Sequence, residues 1–143
     1  MCPKVTNMRA TFAGATAFNQ NIGGWNVSQV TNLRASFAGA TAFNQDVGGW
    51  DVSKVTTMYA TFSTATAFLN QAIFGWNVSK VTNTEQTFAF ATLFNKYIGE
   101  WDDLQVTTMR GNFAGATAFD QYIGNWDVSK VRNMDSTCIC CNA

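Results

Sequence analysis

Apolar residues return along this chain at a fixed interval, and that interval is the strongest signal in it. Tryptophan stands at Trp25, Trp50, Trp76, Trp101 and Trp126, spaced by 25, 26, 25 and 25 residues. Cut at the valine of the recurring Val-Thr-Asn segment, the units are 5–29, 30–54, 55–80, 81–105, 106–130 and a partial 131–143. Units one and two share 19 of 25 residues. One phenylalanine column runs Phe12, Phe37, Phe62, Phe88 and Phe113, and a second Phe18, Phe43, Phe68, Phe94 and Phe119. Valine stacks at Val5, Val30, Val55, Val81, Val106 and Val131; methionine or leucine stacks at Met8, Leu33, Met58, Met109 and Met134, with Thr84 the exception. Identical apolar residues at one period are what a stacked repeat needs, because each unit buries its faces only against its neighbours. The single extra residue falls near Leu69, between Phe68 and Asn70, and predicts a bulge at that turn.

Within a unit two periods alternate. Val5, Met8, Phe12 and Ala15 are spaced i, i+3, i+7, i+10, one stripe of a short α-helix. Thr6 stands where an N-cap would, and Gly14, Gly39 and Gly115 where a C′ glycine would, although Thr64 and Phe90 share that column. At Trp25-Asn26-Val27-Ser28 the period becomes two, which predicts a short β-strand with Trp and Val inward. One short parallel strand and one short helix per unit make a single domain over 1–143, an α/β solenoid of about five coils. A parallel β-helix is the rival, disfavoured because the Ala-rich Met8–Ala15 stretch is not strand-like.

The segment Ile22-x-x-Trp25-x-Val27-x-x-Val30-x-x-Leu33 is similar to the strand motif of leucine-rich repeats, with Val where that motif has Asn. The whole unit resembles the repeat of Mycoplasma-type lipoproteins and BspA-like leucine-rich-repeat surface proteins, over essentially residues 5–135. That resemblance implies a leucine-rich-repeat-like fold and a surface-exposed or secreted parent protein whose arrays serve adhesion or interaction. Asp102-Asp103-Leu104 departs from the pattern by placing Asp103 in the inward valine column.

Composition then narrows the chemistry. Histidine is absent, which removes imidazole acid–base catalysis, His-activated nucleophiles and His metal ligands. Nine basic residues balance nine acidic ones, so the basic excess of a nucleic-acid binder is missing. No apolar run reaches the roughly 18 residues of a membrane span. Met1-Cys2-Pro3-Lys4 leads directly into the repeat without a signal-peptide pattern. An enzyme is not expected, and neither is a cofactor.

Four sets of residues remain as candidates. The outward column Asn26, Asp51, Asn77, Asp102 and Asp127 crowds oxygens near Asp102, Asp103 and Asp127, a weak candidate for a cation or a carbohydrate. The bland reading is a polar ladder neutralised by Lys54, Lys80 and Lys130. A second ladder, Asn19, Asn44, Asn70, Asn95 and Asp120, follows a core Phe and is expected to satisfy turn backbone. Two threonine columns, Thr6/Thr31/Thr56/Thr82/Thr107 and Thr16/Thr41/Thr66/Thr92/Thr117, raise ice binding, with capping and turn hydrogen bonds the simpler account. Cys2, Cys138 and Cys141 fall in core slots and Cys140 in the glycine column; they are expected to pack as small apolar groups, or to form a disulfide.

The chain begins and stops inside a unit without a polar cap, so its end faces should be apolar. The function expected is a structural or interaction repeat module, extracellular or on a cell surface. It should self-associate end to end through those faces, as filaments when the rotation does not close, or meet other surface proteins or glycans. The alternative is a ligand-binding module for glycan, calcium or ice on the outward Asn/Asp or Thr columns.

Overall fold

The computed structural model describes residues 4–69 and 72–137. Successive units lie side by side in register, joined by hydrogen bonds between residues about 25 positions apart. The regular secondary structure expected of them is not there. Among the described residues the one helical element is a 3-10 turn, Ile73–Gly75. Parallel pairing is confined to isolated single-residue bridges, Asn7 to Asn32 to Thr57 to Asn83 to Thr108 to Asn133. The α/β solenoid, its leucine-rich-repeat-like helix and strand, and the parallel β-helix are therefore all overturned: each unit is a run of turns.

The backbone hydrogen bonds explain why the expected helix does not form. An α-helix sends each N–H to the carbonyl four residues back. Here the N–H groups of Met8, Ala10, Phe12 and Gly14 donate instead to Asn32, Arg34, Ser36 and Ala38 of the next unit, at 2.7–2.9 Å. The intervening N–H groups of Thr11, Ala13 and Ala15 donate three residues back, to Met8, Ala10 and Phe12. Alternate amides thus serve the neighbour and the local turn, and none of these donors is left over. Two of the three turns place a left-handed residue third, Ala10 at φ 54° and Gly14 at φ 70°, a conformation no right-handed helix contains. Thr6 is accordingly not an N-cap, and Gly14 ends a turn rather than a helix. The pattern recurs at Ala35, Ala60, Gln86, Gly111 and Ser136, and at Gly39, Thr64, Phe90 and Gly115.

The expected strand fails for a related reason. Asn26 Oδ1 accepts the Ser28 N–H at 3.1 Å, and the Val30 N–H donates to the Val27 carbonyl at 2.8 Å. A side-chain turn followed by a backbone turn bends the chain where a strand would run straight. The inter-unit bridge falls beyond it, in the Asn7 column. Leu69 also differs from expectation: its N–H donates to Asn44 Oδ1 at 3.0 Å, as the Asn44 N–H does to Asn19 Oδ1 at 2.9 Å. Leu69, not Asn70, therefore takes the ladder position; Asn70 lies outside the described residues.

The core consists of the apolar columns. Within each unit two phenylalanines stack face to face, Phe62 on Phe68 and Phe88 on Phe94 at 4.0 Å between ring centres. Between units the first column continues at 5.2–5.9 Å from Phe12 through Phe37, Phe62, Phe88 and Phe113. The second spans 5.8–6.2 Å per step from Phe18 to Phe119. Phe37, Phe43, Phe62, Phe68, Phe88, Phe94 and Phe113 are fully buried. Each contributes roughly 1.5–3 kcal/mol by burial alone. Ring packing adds about 0.5–1.5 kcal/mol per pair, beside the hydrogen bonds that join each unit to the next.

Candidate interaction surfaces

Tryptophan ties each unit to the one before it. The indole N–H groups of Trp50, Trp76, Trp101 and Trp126 donate to the carbonyls of Ile22, Val47, Ile73 and Ile98 at 3.0–3.1 Å. Trp50, Trp76 and Trp101 are buried. Trp25 has no such acceptor among the described residues and is 48% exposed, against 4% for Trp50. Beside it Val5 is also exposed. Val5, Asn7, Met8, Thr11, Trp25, Asn26 and Val27 line an open, mostly apolar cavity of about 420 Å³. The first unit thus presents to solvent the tryptophan and valine columns that units two to four bury.

The outward Asn/Asp column is occupied locally. Asp51, Asn77, Asp102 and Asp127 accept the N–H two residues on, from Ser53, Ser79, Leu104 and Ser129, at 2.9–3.3 Å. Hydrogen bonds from Ser53 and Ser129 hold the Asp51 and Asp127 carboxyls below the usual carboxylate range. Lys54 and Lys130 donate to Gln29 and Gln105, at 2.8 and 3.2 Å. The ion pair between Arg110 and Glu85 spans 3.3 Å.

Asp102, Asp103 and Asp127 do not converge as a cation site would require. Asp103 turns inward, its Oδ1 accepting the Asp127 N–H at 2.9 Å, while its Oδ2 is buried without a partner. Burial pushes the Asp103 carboxyl up, against those bonds. No three His, Cys, Asp or Glu side chains among the described residues stand together as a metal set.

The threonine columns face their own backbone. Thr31, Thr56, Thr82 and Thr107 hydroxyls donate to the carbonyls of Thr6, Thr31, Thr56 and Thr82 at 3.0–3.2 Å. Thr41, Thr66 and Thr117 do likewise to Thr16, Thr41 and Thr92, at 3.2–3.4 Å. A hydroxyl whose one proton is committed to a carbonyl keeps only acceptor capacity for water. The amide ladder also bridges units: Asn19 Oδ1 accepts from Asn44 N–H and Gln45 Nε2, and Asn95 Oδ1 from Asp120 N–H and Gln121 Nε2, at 2.9–3.0 Å. Cys2, Cys138, Cys140 and Cys141 lie outside the described residues.

Sequence reasoning missed several exposed apolar side chains because it read what repeats and not what departs. Phe74, Phe90, Leu93, Tyr97 and Tyr122 are exposed, in columns that hold Gly, Ala, Asn or Asp in units one and two. Those departures were the available signal.

Side chains fixed in columns, amides shared between neighbours and a tryptophan clamp from each of units two to five to the unit before it define a tandem-repeat protein whose units are each other's binding partners. The chain belongs to the family described as Mycoplasma protein of unknown function, DUF285, which matches residues 2–98 and 69–139. No curated protein and no solved structure matches the chain. Among the described residues no helix is long and apolar enough to cross a membrane.

Proposed function

We propose that this chain is a structural and interaction module of a surface or extracellular protein, not an enzyme, and that it associates with further copies of itself through the face of its first unit. The observation that carries the reading is Trp25. Its equivalents are buried with their indole N–H groups on a neighbouring carbonyl, while Trp25 stands half exposed beside an apolar cavity. What covers that face on units two to four is a repeat of the same kind, so a repeat from a second copy matches it. A heterologous contact of this kind propagates into open assemblies unless its rotation closes a ring. The surface location rests on the resemblance of the repeat to surface-protein arrays, and the non-catalytic role on the absence of histidine.

Sedimentation velocity across micromolar concentrations tests the association. The expected result is a species distribution that grows with concentration and collapses to monomer in the Trp25→Lys variant, with its melting temperature little changed. A wild-type chain that stays monomeric throughout overturns the reading.

A further inference from the structure

Unit four carries a carboxylate where units one, two and three carry a valine. Val27, Val52 and Val78 fill the inward slot, and Asp103 stands in their column, 6% exposed. The slot lies at the junction with unit five. Asp103 Oδ1 accepts the Asp127 N–H across that junction at 2.9 Å, and Oδ2 is buried without a partner. One oxygen holds the neighbouring unit and the other holds nothing. A neutral carboxyl fits this arrangement, since it keeps the acceptor for Asp127 and buries no charge. An ionised one leaves a buried charge half paired, which is far more costly.

The groups around Asp103 do not offset that charge. Burial first, then the like charges of Asp127 in unit five and Asp102 in its own unit, push the carboxyl up against its bonds to backbone N–H groups. Lys130 is held on Gln105 Oε1 at 3.2 Å, and the unit-three residues of the same columns, Asn77, Val78 and Ser79, are uncharged. Arg110 and Glu85 pair between units four and five at 3.3 Å and favour docking when both are ionised, which is the opposite sense. Unit five otherwise rests on unit four through the Phe88–Phe113 and Phe94–Phe119 stacks and the Trp126 indole on the Ile98 carbonyl. In a stacked array each unit answers to its neighbours alone, so a weakened junction opens locally.

We propose that Asp103 is a proton-operated latch between units four and five. With its carboxyl neutral, unit five stays docked; with it ionised, unit five undocks more often and uncovers the rings of unit four. A folded carboxyl raised above its ordinary 3.8 makes docking firmest below that pH, and the advantage is lost as pH rises through the folded value.

Amide exchange of the full chain carrying Trp25→Lys tests the latch, so that association through unit one does not enter. The Phe88 N–H donates to the Asn112 carbonyl across the junction of units four and five, and the Phe37 N–H to the Thr61 carbonyl across that of units two and three, both at 2.9 Å. Protection of Phe88 relative to Phe37, followed by NMR from pH 4 to pH 8, should fall by about three- to tenfold, tenfold corresponding to one pKa unit. Asp103→Asn keeps an acceptor for Asp127 but cannot ionise, and should abolish the fall. Asp103→Val, which removes the acceptor as well, should abolish it too. Asp127→Asn should move the fall to lower pH. A ratio constant with pH in the parent overturns the proposal, as does a fall that survives in either Asp103 variant.

Discussion

The first two units and the fourth and fifth are built on one plan and use it differently. In units one and two the positions around the core satisfy the fold: Ser36 Oγ lies 2.8 Å from the carbonyls of both Met8 and Leu33, Val27 and Val52 fill the inward slot, and Gly14 and Gly39 take the left-handed turn. In units four and five those same slots hold Asp103, Asn112 and Phe90. Asp103 Oδ2 and both polar side-chain atoms of Asn112 are buried without partners. Identical scaffolds thus separate residues that hold the repeat together from residues tolerated at a cost. The cost can be measured by moving residues between the two halves.

The largest effect is expected in the inward valine column. Val52→Asp places a carboxylate in a slot that is 1% exposed and should lower unfolding free energy by about 2–5 kcal/mol. The reverse change, Asp103→Val, should raise it at pH 7 by about 1–2 kcal/mol, because relief of the buried, half-unpartnered carboxylate outweighs the acceptor lost to the Asp127 N–H and to its own backbone N–H. The two variants also differ in pH response. Burial raises the Asp103 carboxyl in the folded chain, so the folded state keeps a proton that the unfolded chain has released. Its contribution is complete below the unfolded value near 3.8 and is lost as pH rises through the folded one. Asp51 and Asp127, lowered by their serine partners, act in the opposite sense. Denaturant melts at pH 4 and pH 8 check the sign: the advantage of Asp103→Val over wild type should be greater at pH 8, and an advantage equal at both would refute the assignment.

The serine and threonine column comes next. Ser36, Thr61, Thr87 and Thr137 each place a hydroxyl between two carbonyls, their own turn's and the previous unit's, at 2.7–3.0 Å. Asn112 breaks this chain of bonds. Asn112→Thr should restore it and raise stability by about 1–3 kcal/mol, while Thr61→Asn should lower it by a similar amount. Urea denaturation of the pair checks both signs; a neutral Asn112→Thr would mean that the asparagine is satisfied by water.

What the sequence made legible was the core, because an apolar residue repeated at one column has to face its copies. Phe12 through Phe113 and Trp25 through Trp126 were readable for that reason. The local structure was not readable. A series of three-residue turns puts Val5, Met8, Phe12 and Ala15 at helical spacing just as a helix would, and the deciding partners, the carbonyls of Asn32, Arg34, Ser36 and Ala38, lie in another unit. Ala10 at positive φ carries no glycine to announce it. Trp was recognised as core, but its indole bond to the preceding unit is a matter of register. Asp103 was legible as a carboxylate in the inward valine column and stood as a weak candidate beside a bland polar-ladder reading; that it is buried with one oxygen unpartnered is what the structure adds. Tyr97 and Tyr122 stayed hidden among the columns for want of the same scrutiny.

The smallest effect is expected at the left-handed turn of unit four. Gly14, Gly39 and Gly115 adopt φ of 68–72° without a side chain to clash, and Phe90 adopts 56° with one. An L-residue in this region gives up roughly 1–2 kcal/mol relative to its preferred conformations. Phe90 recovers part of that by laying its ring over the next unit, where a Cβ on Gly115 would stand 2.5 Å from Phe90 Cδ1. Phe90→Gly relieves the strain, forfeits the ring contact and loosens the unfolded chain, so the net gain should be no more than about 1 kcal/mol. Gly39→Phe carries the strain into unit two and should cost about 1–2 kcal/mol. In the following unit the position that Gly115 holds opposite Phe90 is occupied by Thr64. The ring therefore has less room than over Gly115, which places the loss at the upper end. Thermal melts of the two variants decide whether the difference lies in the residue or in its neighbour: if Gly39→Phe combined with Thr64→Gly recovers most of the loss, the phenylalanine of unit four is held by the glycine that faces it.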